Sequence, residues 1–579
     1  MTLLSAASVG TTPATAVSSA GQRARAEALA VLLRCWLRET GTAVPGAGVV
    51  PVRLPAVGTT LSVEVVRWSP TGSHGFGTVA TADGHPVDVD TLARLLTAEA
   101  ADRTGLPPAH AADSATRIVE SARRAAGYAR ARASAPEPPA GLPPWLAAEQ
   151  GLVAGHPWHP MTKSRDGLAD DEDTTYAPEA RGSFPLHWFA ARPELVATGS
   201  ADGGDVAALV RELAGDLTVP PGLVPVPAHP WQAARLGARA GAAALLARGD
   251  LVDLGPAGPP WWATSSLRTV ARPDAPVMLK LSLGLRITNS RRENQRDELV
   301  LGARTAELVD AGLGAALVAA HPGFGLVRDP AWIGVDGPGG PIGLDTVVRD
   351  QPFGATDPVW CAGALLDARP DRGRPPAADL VLALADRRGM PVERAAAQWY
   401  RRWVEAVGVP LLWLHGSYGV GLEAHLQNVL VGLDDDGLPD RGWYRDNQGW
   451  YAADSRLGRL TALLPGIGAD AGLVFDDALV TERVVYYLGV NNLLGCAGAL
   501  AGAGLADERD LLAVLGDVLR AHLAGPDPSP AAELLVSADR LPVKANLLTG
   551  VVGRDELDGP VAAQSVYVEM PNPLREVRR

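Results

Sequence analysis

The sequence is poor in the residues that mark disulfide-rich, metal-cluster and nucleic-acid-binding proteins. Only three of its 579 residues are cysteines, Cys35, Cys361 and Cys496, and they lie too far apart for a CxxC-type zinc or cluster motif. Their odd number argues against a disulfide framework and fits a reducing, cytoplasmic location. Basic residues are outnumbered, because 52 lysines and arginines against 65 aspartates and glutamates give a formal charge of −13. This acidity excludes a generic binder of nucleic acid or anionic membranes.

The sequence also shows no signal-peptide or membrane-span pattern. The first 22 residues, MTLLSAASVGTTPATAVSSAGQ, have no basic region, so we expect a loose tail. The longest uncharged stretch, Leu488–Ala506, is long enough to raise the question of a span. Because it contains Asn491, Asn492 and several glycines, we interpret it as a helix buried in a large core. We therefore expect no membrane association.

The abundant residue types indicate a folded chain that contains both α-helices and β-strands. Hydrophobic residues make up 47% and charged residues 20%, which is typical of a protein with a large core. At about 100 to 200 residues per domain, the length allows several units or one enzyme with subdomains. The 64 glycines and 48 prolines imply many turns and predict mixed α and β structure. Residues 113–132 have helical periodicity, and the proline-rich residues 134–144 place a boundary near residue 140.

A first polar constellation is GHPWHPMTKSRDG, residues 155–167. His156 and His159 have a metal-ligand spacing, but each precedes a proline, which excludes an ordinary helix interior and weakens a zinc interpretation. A rigid loop that presents both histidines, Lys163 and Arg165 would suit oxyanions. A solvated loop with chance basic residues is the open alternative.

A second constellation spans residues 265–292. Apolar and polar residues alternate from Val277 to Thr288, which predicts one half-buried strand. Residues 266–270 form a short candidate strand, and the turn between the two predicts an antiparallel hairpin. The hairpin would bring Arg268 near Lys280, with Arg292 beyond the strand end. This positive face on an acidic chain indicates an anionic ligand such as a polyphosphate, and a merely solvated face is the alternative.

A third constellation is HGSYGVGLEAHLQNVLV, residues 415–431, which follows a predicted helix over residues 392–407 that Gly408 and Pro410 would close. Residues 429–433 and 443–447 predict a hairpin that carries Asp446 back toward Asn428 and Glu423. Carboxylate and amide oxygens are the set that Mg²⁺ prefers. His425 and Gln427 add donors for phosphate or substrate oxygens. The chain contains no Walker P-loop and no well-placed GxGxxG.

Together these motifs resemble one family. In order they are GHPWHPMTKSR, SLRT, KLSLGLRITNSRR, HGSYGVGLEAHLQN, RD and a late VKANLL at residues 543–548. The set is similar to the NRPS-independent siderophore synthetases, the aerobactin-synthetase-like IucA/IucC family. The resemblance implies a hand-like α+β fold: a helical thumb with a loose tail over residues 1–140, ATP-binding fingers with antiparallel sheets over 141–345, and a helix-rich palm over 346–579.

The resemblance also implies an activity, its cofactors and its site residues. ATP and Mg²⁺ would serve to adenylate a carboxylate of citrate or of a citrate or succinate monoamide. An amine or hydroxyl of a polyamine or hydroxamate-type nucleophile would then accept the acyl group, with AMP and pyrophosphate released. By resemblance, we expect a homodimer. The residues that match the family's ATP-binding motifs are His159, Lys163, Ser266, Arg268, Thr269, Lys280, Gln427, Asn428 and Asp446.

The remaining assignments concern metal, substrate and catalysis. The metal set is Glu423, Asn428 and Asp446, and the carboxylate substrate would meet Thr288, Arg292, His425, Tyr486 and Lys544. The catalytic residues implied are Lys280, Arg292 and His425. Attack of a carboxylate on a phosphate brings two anions together, so cations and a metal ion must offset their repulsion.

Two alternatives stay open at this point. An aminoglycoside-kinase-type phosphotransferase is favoured by HG…EAHLQNVLV followed by RD, but the aspartate expected soon after HG is missing and no Gly-rich loop precedes a strand lysine. A ferric-siderophore binding or reductase protein is a more remote alternative, because such reductases need closely grouped cysteines and this chain has none.

Overall fold

Six β-sheets and a large set of helices form the part of the chain described by the computed structural model, which comprises residues 13–469, 472–553 and 564–576. Most strand pairings are antiparallel. The mixed α+β class with antiparallel sheets, predicted from the sequence, is confirmed.

The N-terminal part packs three helices against a small antiparallel sheet. The helices are Pro13–Glu39, Val89–Arg103 and Pro108–Ser134, and the strands are Gly48–Leu54, Thr59–Arg67 and Gly75–Thr81. Asp88 caps the second helix by accepting from Thr91 N, which satisfies a free donor at the helix start. The predicted helix over residues 113–132 is confirmed. The expected loose tail is wrong from Pro13 onward, because the first helix begins there, and residues 1–12 lie outside the described residues.

A nine-stranded antiparallel sheet occupies the centre of the chain. Its strands are Ser183–Ala191, Val196–Ser200, Val224–Ala228, Leu251–Ala263, Thr269–Ala271, Val277–Leu281, Ala331–Gly337, Gly340–Pro341 and Thr346–Asp350. The helices of this region are Pro144–Glu149, Asp170–Tyr176, Val206–Ala214, Pro230–Leu236, Ala240–Arg248, Arg296–Leu308 and Gly314–Ala320. Trp188, Phe189 and Trp261 are buried between sheet and helices, and such aromatic burial supplies much of the stabilisation of a core.

The predicted hairpin of the second constellation forms, but its long strand is interrupted. Thr269–Ala271 pairs antiparallel with Val277–Leu281, with Lys280 opposite Thr269. The strand ends at Ser282, whose N–H and Oγ both donate to Asp345 O. The chain then continues as Leu283–Ile287 in a separate sheet with Arg165–Asp166 and Ser290–Arg292. One strand over residues 277–288 was therefore a wrong prediction, because a turn of the backbone toward Asp345 divides it.

The second predicted hairpin forms, but its return strand is Pro439–Arg445 and not residues 443–447. Val429–Leu433 pairs antiparallel with Pro439–Arg445, and the turn between them includes Gly437 at φ 74°. This pair lies in a four-stranded sheet with Phe324–Val327 and Val359–Cys361. Arg445 N donates to Asn428 O, so Asp446 and Asn428 lie at the same end of the hairpin. The remaining sheets combine Val420–Leu422, Trp450–Ala453 and Val474–Phe475, and Arg540–Lys544 with Tyr567–Pro571.

Helices dominate the C-terminal part. They are Ala362–Leu366, Pro376–Arg388, Val392–Trp403, Val409–Tyr418, Leu457–Leu463, Asp477–Val484, Gly495–Gly502, Glu508–Leu523, Pro530–Ser537, Asn546–Val552 and Pro573–Glu576. Trp399 and Trp403 stack at 5.4 Å and are fully buried. The closure of this helix by Gly408 and Pro410 was a wrong prediction. A wide π-type turn, Val404–Gly408, accommodates the missing N–H of Pro410 and continues the helix to Tyr418.

The long uncharged stretch is a core helix. Within the described residues one helical run, Asp477–Gly502, is long and apolar enough to cross a membrane, and 94% of its most apolar window is buried inside the protein. It contains a π-helical segment, Val485–Leu494, in which Asn491 and Asn492 are buried. The sequence interpretation of residues 488–506 as a buried helix is confirmed.

Contacts between distant parts of the chain bring the first helix against the C-terminal region. The Glu39 carboxylate accepts hydrogen bonds from Leu547 N and Leu548 N at the start of the helix Asn546–Val552. Leu547 and Val551 belong to the same hydrophobic cluster as Trp36. The site described below therefore has walls from both ends of the sequence.

Candidate functional site

A single cavity of about 880 Å³ collects the residues that the sequence singled out. Every residue given a role above lines it: His159, Lys163, Ser266, Arg268, Thr269, Lys280, Thr288, Arg292, Glu423, His425, Gln427, Asn428, Asp446, Tyr486 and Lys544. Such a volume suits a ligand of nucleotide size together with a second small molecule. The individual roles stay predictions.

Buried cations surround one carboxylate at the end of the central sheet. Lys280 Nζ lies 2.8 Å from Asp446 Oδ1. Arg349, on the neighbouring strand Thr346–Asp350, donates to Asp329 at 2.6 and 2.8 Å and to Asp446 at 3.5 Å. Asp446 itself has φ 90°, a left-handed conformation that non-glycine residues rarely adopt. The backbone thus holds this carboxylate in an unusual position facing two cations.

The charges of this cluster reflect burial and pairing. Burial opposes ionisation of Asp446, but the Lys280 and Arg349 charges outweigh it and hold its pKa well below the usual range. Burial lowers the pKa of Lys280, and Asp446 partly offsets this. Burial and the nearby Arg292 lower the pKa of Arg268 to about 10. At neutral pH the Asp446 carboxylate is therefore ionised and Arg268 is protonated.

Arg268 and Arg292 form a second donor group along the same wall. Arg268 Nη1 donates to Arg292 O at 2.8 Å and to Asn294 Oδ1 at 2.9 Å. Arg292 Nη2 donates to Thr288 Oγ1 at 2.7 Å, and Thr288 has φ 56°. Guanidinium groups in fixed orientation suit oxyanions because their donors form a planar fork.

The segment between the strands Val420–Leu422 and Val429–Leu433 carries the third constellation. His425 Nδ1 accepts from Gln427 N at 3.2 Å, so the neutral ring carries its proton on Nε2 and can donate from there. Asn428 Nδ2 donates to Glu423 O at 3.2 Å, and the Tyr451 hydroxyl donates to the Glu423 carboxylate. These hydrogen bonds fix the orientation of the His425, Asn428 and Glu423 side chains within the short segment of residues 423–428.

The two histidines of the first constellation hydrogen-bond to separate partners. His156 Nδ1 and His159 Nδ1 accept from Trp158 N and Met161 N, while their Nε2 atoms contact two different asparagines, Asn491 and Asn289. The two rings therefore do not converge on one metal ion, in agreement with the weak zinc signal.

The basic residues of the same loop are not solvated. Lys163 Nζ lies 2.6 Å from Glu179, and Arg165 lies 2.7 Å from Glu179 and 2.6 Å from Asp173. Burial raises the pKa of Glu179, but the charges of Arg165 and Lys163 lower it more, and the pKa falls to about 2. The alternative of a solvated loop is wrong, because Lys163 and Arg165 are buried among carboxylates.

Tyr486 and Lys544 reach the cavity from the C-terminal elements. Asn546 Nδ2 donates to Trp158 O at 2.7 Å and lies 3.4 Å from the Tyr486 hydroxyl. Burial raises the pKa of Tyr486, so its hydroxyl stays protonated. Lys544 ends the strand Arg540–Lys544. Both residues line the cavity, and their contact with a carboxylate substrate stays a prediction.

Several cavity residues were missed by the sequence reasoning. Arg349, Glu298, Gln448 and Arg483 line the cavity, and Gln448 donates to Glu298. The usable signal for Arg349 was a lone arginine in the apolar strand sequence TVVRD. Glu298 and Gln448 carry no local signal, because only the packing of the helix Arg296–Leu308 against residues 447–449 brings them together.

The comparisons with known proteins fit this arrangement. Residues 144–367 match the IucA / IucC family profile, and residues 397–559 match the profile described as ferric iron reductase FhuF-like transporter. The chain is 39% identical to the rhizobactin siderophore biosynthesis protein RhbC of Rhizobium meliloti, over 75% of this chain and 76% of that protein. It is 34% identical to a spermidine-citrate ligase of Bacillus anthracis, over 91% and 90%. The chain belongs to the IucA / IucC family.

Solved structures agree with that membership. The ATP-bound aerobactin synthetase IucA of Klebsiella pneumoniae superimposes with a TM-score of 0.84 at 27% identity, covering 95% of this chain and 99% of that one. AsbB of Bacillus anthracis, at 16% identity and a TM-score of 0.78, shows the same fold. As an IucA / IucC synthetase, the chain is an enzyme that forms carbon–nitrogen bonds in siderophore biosynthesis.

Family membership and geometry remove both alternatives. His415, which a kinase interpretation places in a catalytic loop, lies buried in the helix Val409–Tyr418 and contacts Ser529 Oγ at 2.9 Å. The three cysteines of the chain are free, buried and separate. Among the described residues no group of three or more His, Cys, Asp or Glu side chains is placed to hold a metal ion. The closely grouped cysteines that such a reductase needs are thus not found among the described residues.

Proposed function

We propose that the enzyme uses ATP and Mg²⁺ to adenylate a carboxylate of citrate, or of a citrate or succinate monoamide. It then joins the acyl group to an amine or hydroxyl of a polyamine or hydroxamate-type nucleophile. The observation that carries the proposal is the buried cation cluster of Lys280, Arg268 and Arg349 in a chain of charge −13. Support comes from the ATP-bound IucA structure and from relatives named as citrate ligases.

The nucleotide phosphates would lie against the hairpin of the central sheet. The cavity is lined there by Ser266, Arg268, Thr269 and Lys280, and also by His159, Lys163, Gln427, Asn428 and Asp446. Asp446 is in contact with Lys280. Because these cations are held by hydrogen bonds and burial before any ligand arrives, they need little reorganisation to offset phosphate charge. Lys163 is already paired with Glu179, so we assign it to positioning rather than direct charge neutralisation.

The oxygen set of Glu423, Asn428 and Asp446 fits a magnesium site of the kind that uses one or two carboxylates and substrate phosphates. Asp446 is ionised and lines the cavity. A bound Mg²⁺ would neutralise phosphate charge and polarise the α-phosphate. The same residues do not form an all-protein cage, which agrees with the lack of a three-ligand cluster among the described residues.

The carboxylate substrate would lie next to the nucleotide, beside Arg292, which contacts Arg268. Thr288, Arg292, His425, Tyr486 and Lys544 offer hydroxyl, guanidinium, imidazole and ammonium donors there. A carboxylate oxygen attacks the α-phosphorus while the bond to pyrophosphate breaks. The nucleophile then attacks the acyl carbon, and AMP leaves. Arg292 orients the carboxylate, and His425 donates from Nε2 to a substrate oxygen.

The decisive experiment is a product assay with purified enzyme, MgATP and a panel of carboxylic acids. We expect citrate-dependent pyrophosphate exchange and, with hydroxylamine as trap, a citryl hydroxamate with one AMP for each product. Formation of ADP in place of AMP, or the absence of AMP with every acid, would overturn the proposal. The homodimer and the cytoplasmic location stay predictions from the resemblance and the composition.

A further inference from the structure

One buried ion pair beside the cavity has no role in the proposed function. Arg445, the arginine of the RD motif, ends the strand Pro439–Arg445, and Glu149 ends the helix Pro144–Glu149. Both side chains are buried. Arg445 Nη1 donates to Glu149 Oε1 at 2.6 Å, and Nη2 donates to Glu149 Oε2 at 3.1 Å. Such a forked pair holds the planar guanidinium in one orientation.

The pair contacts Ser265, which directly precedes the predicted nucleotide contacts of residues 266–269. The Ser265 N–H donates to Glu149 Oε2 at 3.0 Å, and its Oγ accepts from Arg445 Nη2 at 2.9 Å. Its carbonyl accepts from Gln427 Nε2 at 2.9 Å. Because the N–H, the hydroxyl and the carbonyl of Ser265 are all engaged, the start of residues 266–269 is fixed.

Arg445 also holds the segment that carries Gln427 and Asn428. Its Nη2 donates to Gln427 O at 2.8 Å, and its Nε donates to the same atom at 3.2 Å. Its backbone N–H donates to Asn428 O at 2.9 Å. One arginine therefore contacts both segments that supply predicted nucleotide contacts to this part of the cavity, residues 266–269 and residues 427–428.

The bonding of Arg445 suits a supporting role rather than direct contact with a ligand. Each of its three side-chain nitrogens already donates to the protein, and its charge is paired with Glu149. Arg445 lines the cavity, whereas Glu149 does not. A buried pair is costly to break, because removal of one partner leaves an uncompensated charge. The pair therefore gives the two segments a fixed common support.

We propose that Arg445 and Glu149 are positioning residues for the nucleotide: their ion pair sets the spacing between residues 266–269 and residues 427–428, and thereby the affinity of the site for MgATP. A misplacement of about 1 Å that originates far from the reacting atoms can cost about 100-fold in rate, so a small shift of either segment should weaken the site. This inference rests on the proposed function, because it concerns the support of the same site.

The test uses two variants that keep both charges. Arg445→Lys retains a cation beside Glu149, but its single nitrogen cannot reach Ser265 Oγ and Gln427 O as well. Glu149→Asp is one methylene shorter and cannot reach both Arg445 and the Ser265 N–H. In pyrophosphate exchange at saturating citrate, we expect the KM for MgATP to rise about tenfold in each variant, the usual loss for a hydrogen bond to a charged group.

Two comparisons separate positioning from a purely structural effect. A smaller folded fraction lowers kcat but leaves the KM for MgATP unchanged. Arg124→Lys is the matched control, since Arg124 is buried, pairs with Asp173 at 2.9 Å, donates to Leu168 O at 2.8 Å and does not line the cavity. It should keep the wild-type KM. The double variant Arg445→Lys with Glu149→Asp should raise the KM by less than the product of the two single effects, because both act through one contact.

Circular dichroism verifies that the variants are folded, and if only one of the two single variants folds, that variant decides. An unchanged KM for MgATP in a folded Arg445→Lys or Glu149→Asp would overturn the inference. So would an equal rise in Arg124→Lys, or a rise in the double variant equal to the product of the single effects. The absence of pyrophosphate exchange in the wild type is a different result, because it contradicts the proposed function itself.

Discussion

Lys280 and Asp446 show how single residues prepare the cavity for an anion. The lysine is buried on a strand and is neutralised by one carboxylate at 2.8 Å, which Arg349 also contacts. A buried charge without a partner is costly, so the pair is stable before ligand binding. An incoming phosphate can share Lys280 without leaving Asp446 unpaired, because Arg349 remains beside it.

Replacing Lys280 or His425 should therefore stop adenylation without unfolding the protein. We expect Lys280→Met and His425→Ala each to lower pyrophosphate exchange at least 100-fold, since one donor to a developing charge is worth about 3 to 4 kcal/mol. Matched controls are Arg272→Met, which removes a cation paired with the exposed Asp274, and His85→Ala at an exposed turn. Far-ultraviolet circular dichroism verifies folding, and full exchange activity in both site variants would refute the assignment.

The positions of the first and third constellations could be predicted because their polar side chains lie close together in the sequence, within residues 155–167 and 415–431. The motifs and a hairpin that pairs residues 429–433 with a return strand were predicted from local pattern alone, although the return strand is Pro439–Arg445 and not residues 443–447. The strand over residues 277–288 was not, since a period of two cannot show that Ser282 turns its backbone to Asp345, 63 residues away. Arg349 was missed for the same reason, because only tertiary packing brings it to the cavity.

At the scale of an element, the π-helical segment Val485–Leu494 supports the His425 loop. Asn492 accepts from Trp403 Nε1 at 3.0 Å and donates to Ala424 O at 3.1 Å. Its neighbour Asn491 accepts from Leu426 N. Such wide helical turns occur frequently at functional sites, and here the turn directs two consecutive amides toward the loop.

We therefore expect Asn492→Ala to cost both stability and activity. Truncation leaves a buried indole N–H and a buried carbonyl unpaired, which should lower the free energy of unfolding by about 2 to 4 kcal/mol. Urea titration measures this loss, and pyrophosphate exchange should fall because Ala424 precedes His425. Asn572→Ala is the matched control, since Asn572 is buried and donates to Leu535 O and Ala538 O. It should lose stability but keep exchange activity, and equal activity losses in both would contradict the supporting role.

The contact between Glu39 and the helix Asn546–Val552 predicts a pH dependence of stability. Burial raises the pKa of Glu39 from 4.5 to about 7, although the N–H groups of Leu547 and Leu548 oppose the shift. Its contribution is therefore fully present below pH 4.5 and is lost as the pH rises through 7, amounting to about 3 kcal/mol. Glu39→Gln should remove the loss of stability that the ionisation of Glu39 causes as the pH rises from 4.5 to 7. Asp345 and Asp367 titrate in both proteins, so the difference between urea-derived stabilities at pH 5 and pH 8 isolates Glu39. Parallel pH profiles would contradict the prediction.

At the scale of the whole molecule, the cavity joins parts of the chain that are distant in sequence. Its walls include the first helix, the central sheet, the His425 loop and the strand Arg540–Lys544. The net charge of −13 belongs to the chain as a whole, whereas the cavity concentrates Lys280, Arg268, Arg292 and Arg349. This contrast favours small anions that enter the cavity over polyanions that would meet the acidic exterior.

Ligand-induced stabilisation should therefore separate a nucleotide from a nucleic acid. A ligand at 100 times its Kd that binds only the folded state stabilises it by about 2.7 kcal/mol, which for a chain of this length corresponds to a rise in Tm of roughly 2 °C. We expect MgATP to produce such a rise in differential scanning fluorimetry and single-stranded DNA to produce none. Arg268→Met should abolish the rise, whereas Arg272→Met, on the same hairpin but paired with the exposed Asp274, should retain it. Because the ligand contacts walls from both ends of the sequence, an equal shift in both variants would show that ATP binds elsewhere than in this cavity.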